Sequence, residues 1–317
     1  NSMRFSNSHM LAVASLIVML ISPASMAKNH ALLVGISEYT RMPLEGPVND
    51  VQALHRVLNE KWMFEEKDIS VLLNAEASKV GILASLDELY RRSEAGDNIF
   101  IYLSGHGTSS LDNDIRAPLP TTSGAFIPYD IAGVKSREEL MERLIVGRSD
   151  LKPRFKKFDD NGRHLFIAID ACYSGNTVRG IYKKERLPQR HLSLISLLPR
   201  GVELDLPAQS MSDNKNADED NAYPYQNTFY IGASGEHEKA EDIPARMLSS
   251  YRTIDNKPHG AFTNTLLEVL YEPGMADYDK NGDVSYAELK QNLKERMNDR
   301  GFSHTPHSLP TIEQDTK

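Results

Sequence analysis

Phe100-Ile-Tyr-Leu-Ser-Gly-His106-Gly107 and Leu165-Phe-Ile-Ala-Ile-Asp-Ala-Cys172-Tyr-Ser-Gly175 are two apolar runs, each ending in small residues around one reactive side chain. Short apolar runs rich in Ile, Phe and Tyr and closed by glycine read as buried strands. Glycines at 105, 107 and 175 permit tight turns and close approach of a ligand to the backbone. Both side chains are expected to emerge at the same sheet edge.

Outward from these runs the chain alternates strand and helix patterns. His30-Ala-Leu-Leu-Val-Gly-Ile-Ser-Glu-Tyr39 reads as a central strand. Residues 48–62 read as a helix, with Val51, Leu54 and Leu58 at helical spacing and Asn49 and Asp50 supplying cap chemistry. A strand near Ile69–Leu73 and a helix from Ser78 to Arg92, with Val80, Leu83, Leu86 and Tyr90 on one face, lead to the strand Asn98–Leu103. Then come Ala125–Tyr129, a helix over 136–145, strands Leu165–Ile169 and Thr228–Gly232, a helix over 262–271 and a last one from Tyr286 to Asn298. Parallel strands need crossovers, and the crossover helices cover both faces, so the class is α/β with one mostly parallel sheet. Active residues belong at the carboxyl ends of its strands.

The 317 residues are 40% hydrophobic and 25% charged, ordinary for a globular protein, and the net charge is −8 with no basic arm or stripe. Nucleic acid is therefore not an expected partner. Met3 and Arg4 precede an apolar run from Met10 to Ile21 and then Ser25-Met26-Ala27, a small-x-small signature. Residues 1–27 read as a secretory signal cleaved after Ala27, with Asn1 and Ser2 ahead of the expected start. The run is short of the roughly 20 apolar residues that span a bilayer, so no stable membrane insertion is expected after cleavage. The expected location is periplasmic or secreted. A single cysteine excludes an internal disulfide and leaves Cys172 as an inert core thiol or a reactive one.

Ser-Gly-His106-Gly and Asp170-Ala-Cys172-Tyr-Ser-Gly resemble the histidine and nucleophile motifs of the caspase and metacaspase family. Leu44-Glu-Gly-Pro-Val-Asn-Asp50 and Gly260-Ala-Phe-Thr263 resemble the openings of its first and last large helices. The resemblance runs from Ala31 to about Arg296. It implies a three-layer αβα sandwich around a six-stranded, mostly parallel sheet, and a cysteine endopeptidase with Cys172 as nucleophile and His106 as its base. A neighbouring imidazole that takes the thiol proton raises nucleophilicity. Such a thiol is expected to lie within proton-transfer reach of the ring and open to solvent. By the same resemblance the main-chain N–H groups of Gly107 and Cys172 form the oxyanion hole. Asp170 selects Arg or Lys before the scissile bond, with Asp50, Ser104 and Asp130 as further pocket residues. Asp50 could equally cap a helix, and Asp130 could order a turn. Other readings are a peptidase for acidic residues and an inactive caspase-fold module that binds calcium.

The resemblance divides the mature chain into a large-subunit-like half over 28–182, an exposed polar linker over 183–227, low in complexity at Ser210–Asn221, and a small-subunit-like half over 228–317. Lys183, Lys184, Arg186, Arg190 and Arg200 make the linker a candidate for self-cleavage of a zymogen. The chemistry needs no cofactor. Asp277-Tyr-Asp279-Lys-Asn281-Gly282-Asp283-Val-Ser285-Tyr-Ala-Glu288 fits the EF-hand loop, with oxygen ligands from Asp277, Asp279, Asn281, the Asp283 carbonyl, Ser285 through water and Glu288. The alternative is a capping box of Ser285 and Glu288 opening the last helix. His304 and His307 lack the companions of a zinc site and read as loop residues. The expected partner is a peptide or protein substrate, and the oligomeric state is open.

Overall fold

The computed structural model describes residues 2–3, 26–109, 124–172, 187–202, 225–235 and 238–309. Its centre is a six-stranded sheet of β1 (Asn29–Gly35), β2 (Ile69–Leu73), β3 (Asn98–Ser104), β4 (His164–Asp170), β5 (Thr228–Gly232) and β6 (His307–Leu309). The strand order is β6-β5-β4-β3-β1-β2; every pair is parallel except β6 with β5. Side chains alternate across a strand, and the central strands are apolar between their polar end residues, over 99–103 and 165–169, so the sheet feeds two cores. Leu33, Phe100 and Phe166 face one, with Val51, Leu54, Phe262 and Leu266 from α1 (Gly46–Lys61) and α5 (Ala261–Tyr271). Leu32, Ile101 and Ile167 face the other, with Ile82 and Leu86 from α2 (Lys79–Arg92) and Phe155 and Phe158 from α4 (Lys152–Asp160). This is the expected αβα sandwich.

Details differ from the sequence reading. The buried stripe of α2 is Ile82, Leu86 and Leu89, while Val80 is 77% exposed. Both stripes have helical spacing, and only the packing direction separates them. Gly124–Phe126 leaves the main sheet for a small antiparallel one with Gly107–Ser109 and Ile145–Val146, and α3 is confined to Arg137–Arg143. The helix α4 escapes the periodicity reading because four charged residues surround its two phenylalanines. His307 is not a loop residue but opens β6, and His304 is buried with Nδ1 2.6 Å from the Ala233 carbonyl. The last helix, α6, spans Tyr286–Asp299. Ser2–Met3, inside the expected leader, pairs antiparallel with Val284–Ser285 ahead of α6. No helix among the described residues is long and apolar enough to cross a membrane.

The largest departure concerns the linker. Within 187–202, Leu187, Arg190, His191, Leu192, Leu194 and Leu198 are buried, so this part of 183–227 is built into the fold. Lys183, Lys184, Arg186, the tract Ser210–Asn221 and Tyr173–Gly175 of the cysteine motif lie outside the described residues.

Candidate active site

Parallel register sets the geometry. Ser104 ends β3 opposite Asp170, which ends β4, so His106 and Cys172 each follow two residues past the same ladder rung. The Gly105 amide continues the ladder to the Asp170 carbonyl at 3.2 Å. A Cβ on Gly107 would sit 2.2 Å from the Cys172 carbonyl oxygen, so only glycine lets the two strand tips close together.

Residues 187–192 run across these tips as an added strand. The Arg190 amide donates to the Ala240 carbonyl at 2.9 Å, the Asp242 amide to the Pro188 carbonyl at 2.8 Å, and the Leu192 amide to the Gly107 carbonyl at 3.1 Å. Main-chain pairing of this kind is how an extended peptide docks on a sheet edge. The Arg190 carbonyl receives two N–H groups, from Gly107 at 3.0 Å and Cys172 at 3.2 Å. Downstream, Leu192, Leu194 and Leu198 join the core beside Tyr39, Ile131 and Val134.

The Arg190 side chain is completely buried among three carboxylates. Nη2 lies 2.8 Å from Asp50 and 2.7 Å from Asp242, Nε 3.3 Å from Asp242, and Nη1 2.7 Å from the Ser104 hydroxyl and 3.2 Å from both the carbonyl and the carboxylate of Asp170. Helix starts anchor two of the acids. Thr263, in the first turn of α5, donates its amide at 3.1 Å and its hydroxyl at 2.5 Å to Asp170. The amides of Glu45 and Gly46 at the start of α1 donate to Asp242 at 3.0 and 3.2 Å. Amides at a helix N-terminus favour negative charge, which offsets part of the cost of burying these groups. Asp50 takes the Gly260 amide at 3.1 Å and His259 Nδ1 at 2.8 Å, and His259 Nε2 reaches Asp255 at 2.8 Å.

Burial drives the Asp170 and Asp242 carboxyls upward against the pull of Arg190. Burial acts on Asp50 the same way, but Arg190 and His259 together hold it below the usual carboxylate range. Burial alone would lower His259, and its two carboxylate partners outweigh that and raise it. The Arg190 guanidinium stays charged, since the three acids overcome its desolvation.

The sequence reading placed Asp50, Ser104 and Asp170 together, and all three contact Arg190. Asp130 is elsewhere: its carboxylate accepts the Lys79 amide at 3.1 Å at the start of α2, the local ordering role considered for it. Asp242 and His259 were not singled out, and Gly46 and Gly260 were read only as parts of helix-opening motifs. Asp242 sits on a two-residue strand paired with His259–Gly260, and nothing in its local sequence separates it from a surface acid.

The expected open dyad is not what the structure contains. Cys172 and His106 are both buried. The sulfur receives the Ala240 amide at 3.0 Å and lies 3.6 Å from the Ala240 carbonyl. His106 Nε2 lies 2.7 Å from the Met42 carbonyl, and among the described residues Nδ1 meets no partner in hydrogen-bond geometry. The strand bearing Arg190 occupies the ground where solvent was expected. Burial pushes the thiol up to about 12 and the imidazole down to about 4. The resting pair is therefore neutral thiol and neutral imidazole.

An unfolded chain takes up a proton on this histidine near 6.5 and the folded chain only near 4. His106 burial thus costs stability progressively as pH falls between those values. In a Cys172→Ala chain the His106 imidazole is expected to titrate below pH 5 in an NMR pH series. A midpoint at the ordinary histidine value contradicts its burial.

A caspase-domain family profile matches residues 28–316. This chain belongs to the caspase-domain family. Among curated relatives, metacaspase-7 of Arabidopsis thaliana is 40% identical over 159 residues, covering 48% of this chain and 36% of that protein. Metacaspase-1A of Aspergillus terreus is 27% identical over 195 residues, covering 55% and 45%. The chain thus spans less than half the length of these relatives. The crystal structure of protein GSU0716 from Geobacter sulfurreducens has a TM-score of 0.53 at 14% identity, covering 89% of this chain and 92% of that one, which concerns the fold alone. Within this caspase domain the loop 277–288 gathers one carboxylate oxygen each from Asp277, Asp279 and Glu288 within 4.8 Å of one another. Gly282 there has φ +92°, a conformation suited to glycine. Glu288 also closes the capping box, its Oε2 accepting the Ser285 amide at 2.8 Å.

Proposed function

We propose that the protein is a cysteine endopeptidase selective for basic residues, which first cuts its own Arg190–His191 bond. One observation carries this reading: the Arg190 carbonyl sits on the two amides of Gly107 and Cys172 while its guanidinium fills a pocket of acids. Two main-chain donors on one carbonyl are the arrangement that stabilises a tetrahedral oxyanion, each donor contributing about 3 kcal/mol. An acid-lined pocket favours Arg or Lys over Asp.

In this mechanism the thiol gives its proton to His106 as the sulfur bonds to the Arg190 carbonyl carbon. Both groups rest neutral, so the proton moves with the attack rather than before it. To attack, the sulfur exchanges its Ala240 contacts for the carbonyl carbon. His106 then protonates the His191 amine, the C–N bond breaks, and an acyl-thioester forms on Cys172. Water adds to the thioester with His106 taking one of its protons, which returns to sulfur as the thioester breaks, and the new Arg190 carboxyl releases the other to solvent. Residues 187–190 can then leave the cleft for a peptide in trans. A panel of fluorogenic peptides ending in Arg, Lys, Asp or Asn, with and without calcium, tests the class. Turnover only of the Asp peptide overturns the basic selectivity.

Export before action and a calcium-responsive loop complete the proposal. The full EF-hand pattern, with its three acids facing one another and Gly282 in the left-handed region, supports the second. Calorimetric titration of calcium into the Cys172→Ala chain is expected to give saturable heat that Asp277→Ala and Glu288→Gln each abolish. No heat from the chain with both acids intact dismisses the site and leaves the capping box as the loop's whole role.

A further inference from the structure

The guanidinium of Arg190 is gripped along its whole edge, and the grip depends on one acid. Asp50, Ser104 and Asp170 meet only the terminal nitrogens Nη1 and Nη2, at 2.7 to 3.2 Å. Among the described residues Asp242 alone takes Nε, at 3.3 Å, together with Nη2 at 2.7 Å. It thus receives the side-on pair of donors that a lysine does not possess. The slot is also flat. A Cβ on Gly260 would lie 2.7 Å from the guanidinium carbon, and one on Gly46 would lie 2.5 Å from Nη2 and 2.3 Å from the Asp242 carboxylate. Bare backbone therefore bounds a planar group on two sides.

We infer that Asp242 makes the pocket select arginine over lysine, with Gly46 and Gly260 shaping the slot; the inference rests on the self-cleaving reading. An ammonium is a compact charge on a flexible stem, whereas guanidinium presents donors in a fixed fork. A lysine at position 190 reaches the donors and acceptors grouped around Nη1 and Nη2, but puts no N–H where Nε stands. Asp242 then remains buried, still held by the α1 amides, with half of its ligand gone. Leaving a buried acceptor unpaired costs more than the missing bond itself.

The test compares Arg190 with Arg190→Lys in three backgrounds: the unaltered chain, Asp242→Asn and Gly46→Ala. The readout is the rate at which the two fragments form, followed by intact-mass spectrometry. In the unaltered chain Arg190→Lys is expected to slow cleavage at least tenfold. In Asp242→Asn the same change is expected to slow it less than threefold, because the arginine form has lost its advantage. Gly46→Ala keeps every charge yet intrudes between Asp242 and Nη2, and is expected to narrow the ratio as well. An arginine-to-lysine ratio that stays the same in both altered backgrounds overturns the inference.

Failure of the broader reading looks different. If no form cleaves, the peptidase proposal falls, and the pocket is judged by unfolding midpoints of the same six chains carrying Cys172→Ala. Arg190→Lys is then expected to lower the midpoint in the unaltered background more than in Asp242→Asn. Equal losses in both backgrounds overturn the role of Asp242.

Discussion

A chain carrying Cys172→Ala is expected to stay at full length, while the unaltered chain accumulates a fragment whose first residue is His191. The effect is close to all-or-none, because replacing the sulfur removes the atom that attacks and leaves the oxyanion donors without a partner in chemistry. Amino-terminal sequencing of the smaller fragment is the decisive measurement. Cleavage after Arg200, which is exposed and outside the acid pocket, overturns the register proposed here. So does identical fragmentation of both chains. Since Leu192, Leu194 and Leu198 are packed in the core and β5, α5 and β6 belong to the main fold, the two pieces are expected to co-elute in gel filtration after the cut.

The second large effect is on stability. With Cys172→Ala preventing cleavage, Arg190→Gln is expected to lower the free energy of unfolding at neutral pH by about 3–5 kcal/mol, the usual cost of breaking a buried ion cluster by removing one partner. Asp50, Asp170 and Asp242 are each buried beside that guanidinium, and its removal leaves them to repel one another. Without the cation the Asp170 and Asp242 carboxyls rise further above the unfolded value of 3.8, and Asp50 loses one of the two partners that hold it low. A carboxyl raised by folding contributes stability at low pH and loses it as pH climbs through the folded value. The deficit is therefore expected to shrink as pH is lowered from 7.5 toward 4.5. Urea midpoints of both chains at the two pH values measure it, and equal midpoints at pH 7.5 contradict the picture of an arginine that neutralises its pocket.

These expectations draw unevenly on sequence. The two runs ending at His106 and Cys172 are legible because a fully buried parallel strand must be apolar throughout and must stop in small residues where the backbone turns. The same logic reveals β1 and β5, and apolar residues at spacings of three and four reveal α1 and α2. The helix α4 and the strand β6 are not legible: Phe155 and Phe158 form a narrow stripe among charges, and a three-residue edge strand has no periodicity to read.

At the site, Asp50, Ser104 and Asp170 were reachable from motif resemblance, whereas Asp242, His259 and the pocket role of Gly46 and Gly260 were not. Arg190 is the instructive case. Within a polar tract rich in Lys and Arg it reads as one solvated charge among several, and only the added strand pairing with Ala240 and Asp242 makes it the one that enters the pocket.

What the chain's own order of residues determined is the local part: strand tips that must turn, glycines that let two tips touch, and a lone thiol set beside one of them. What tertiary structure alone decided is which distant groups converge there, because Asp50, Asp170, Asp242 and Arg190 meet through packing of α1, α5 and the sheet. Burial and mutual charge then set their protonation, and neither quantity exists until the chain has folded around them.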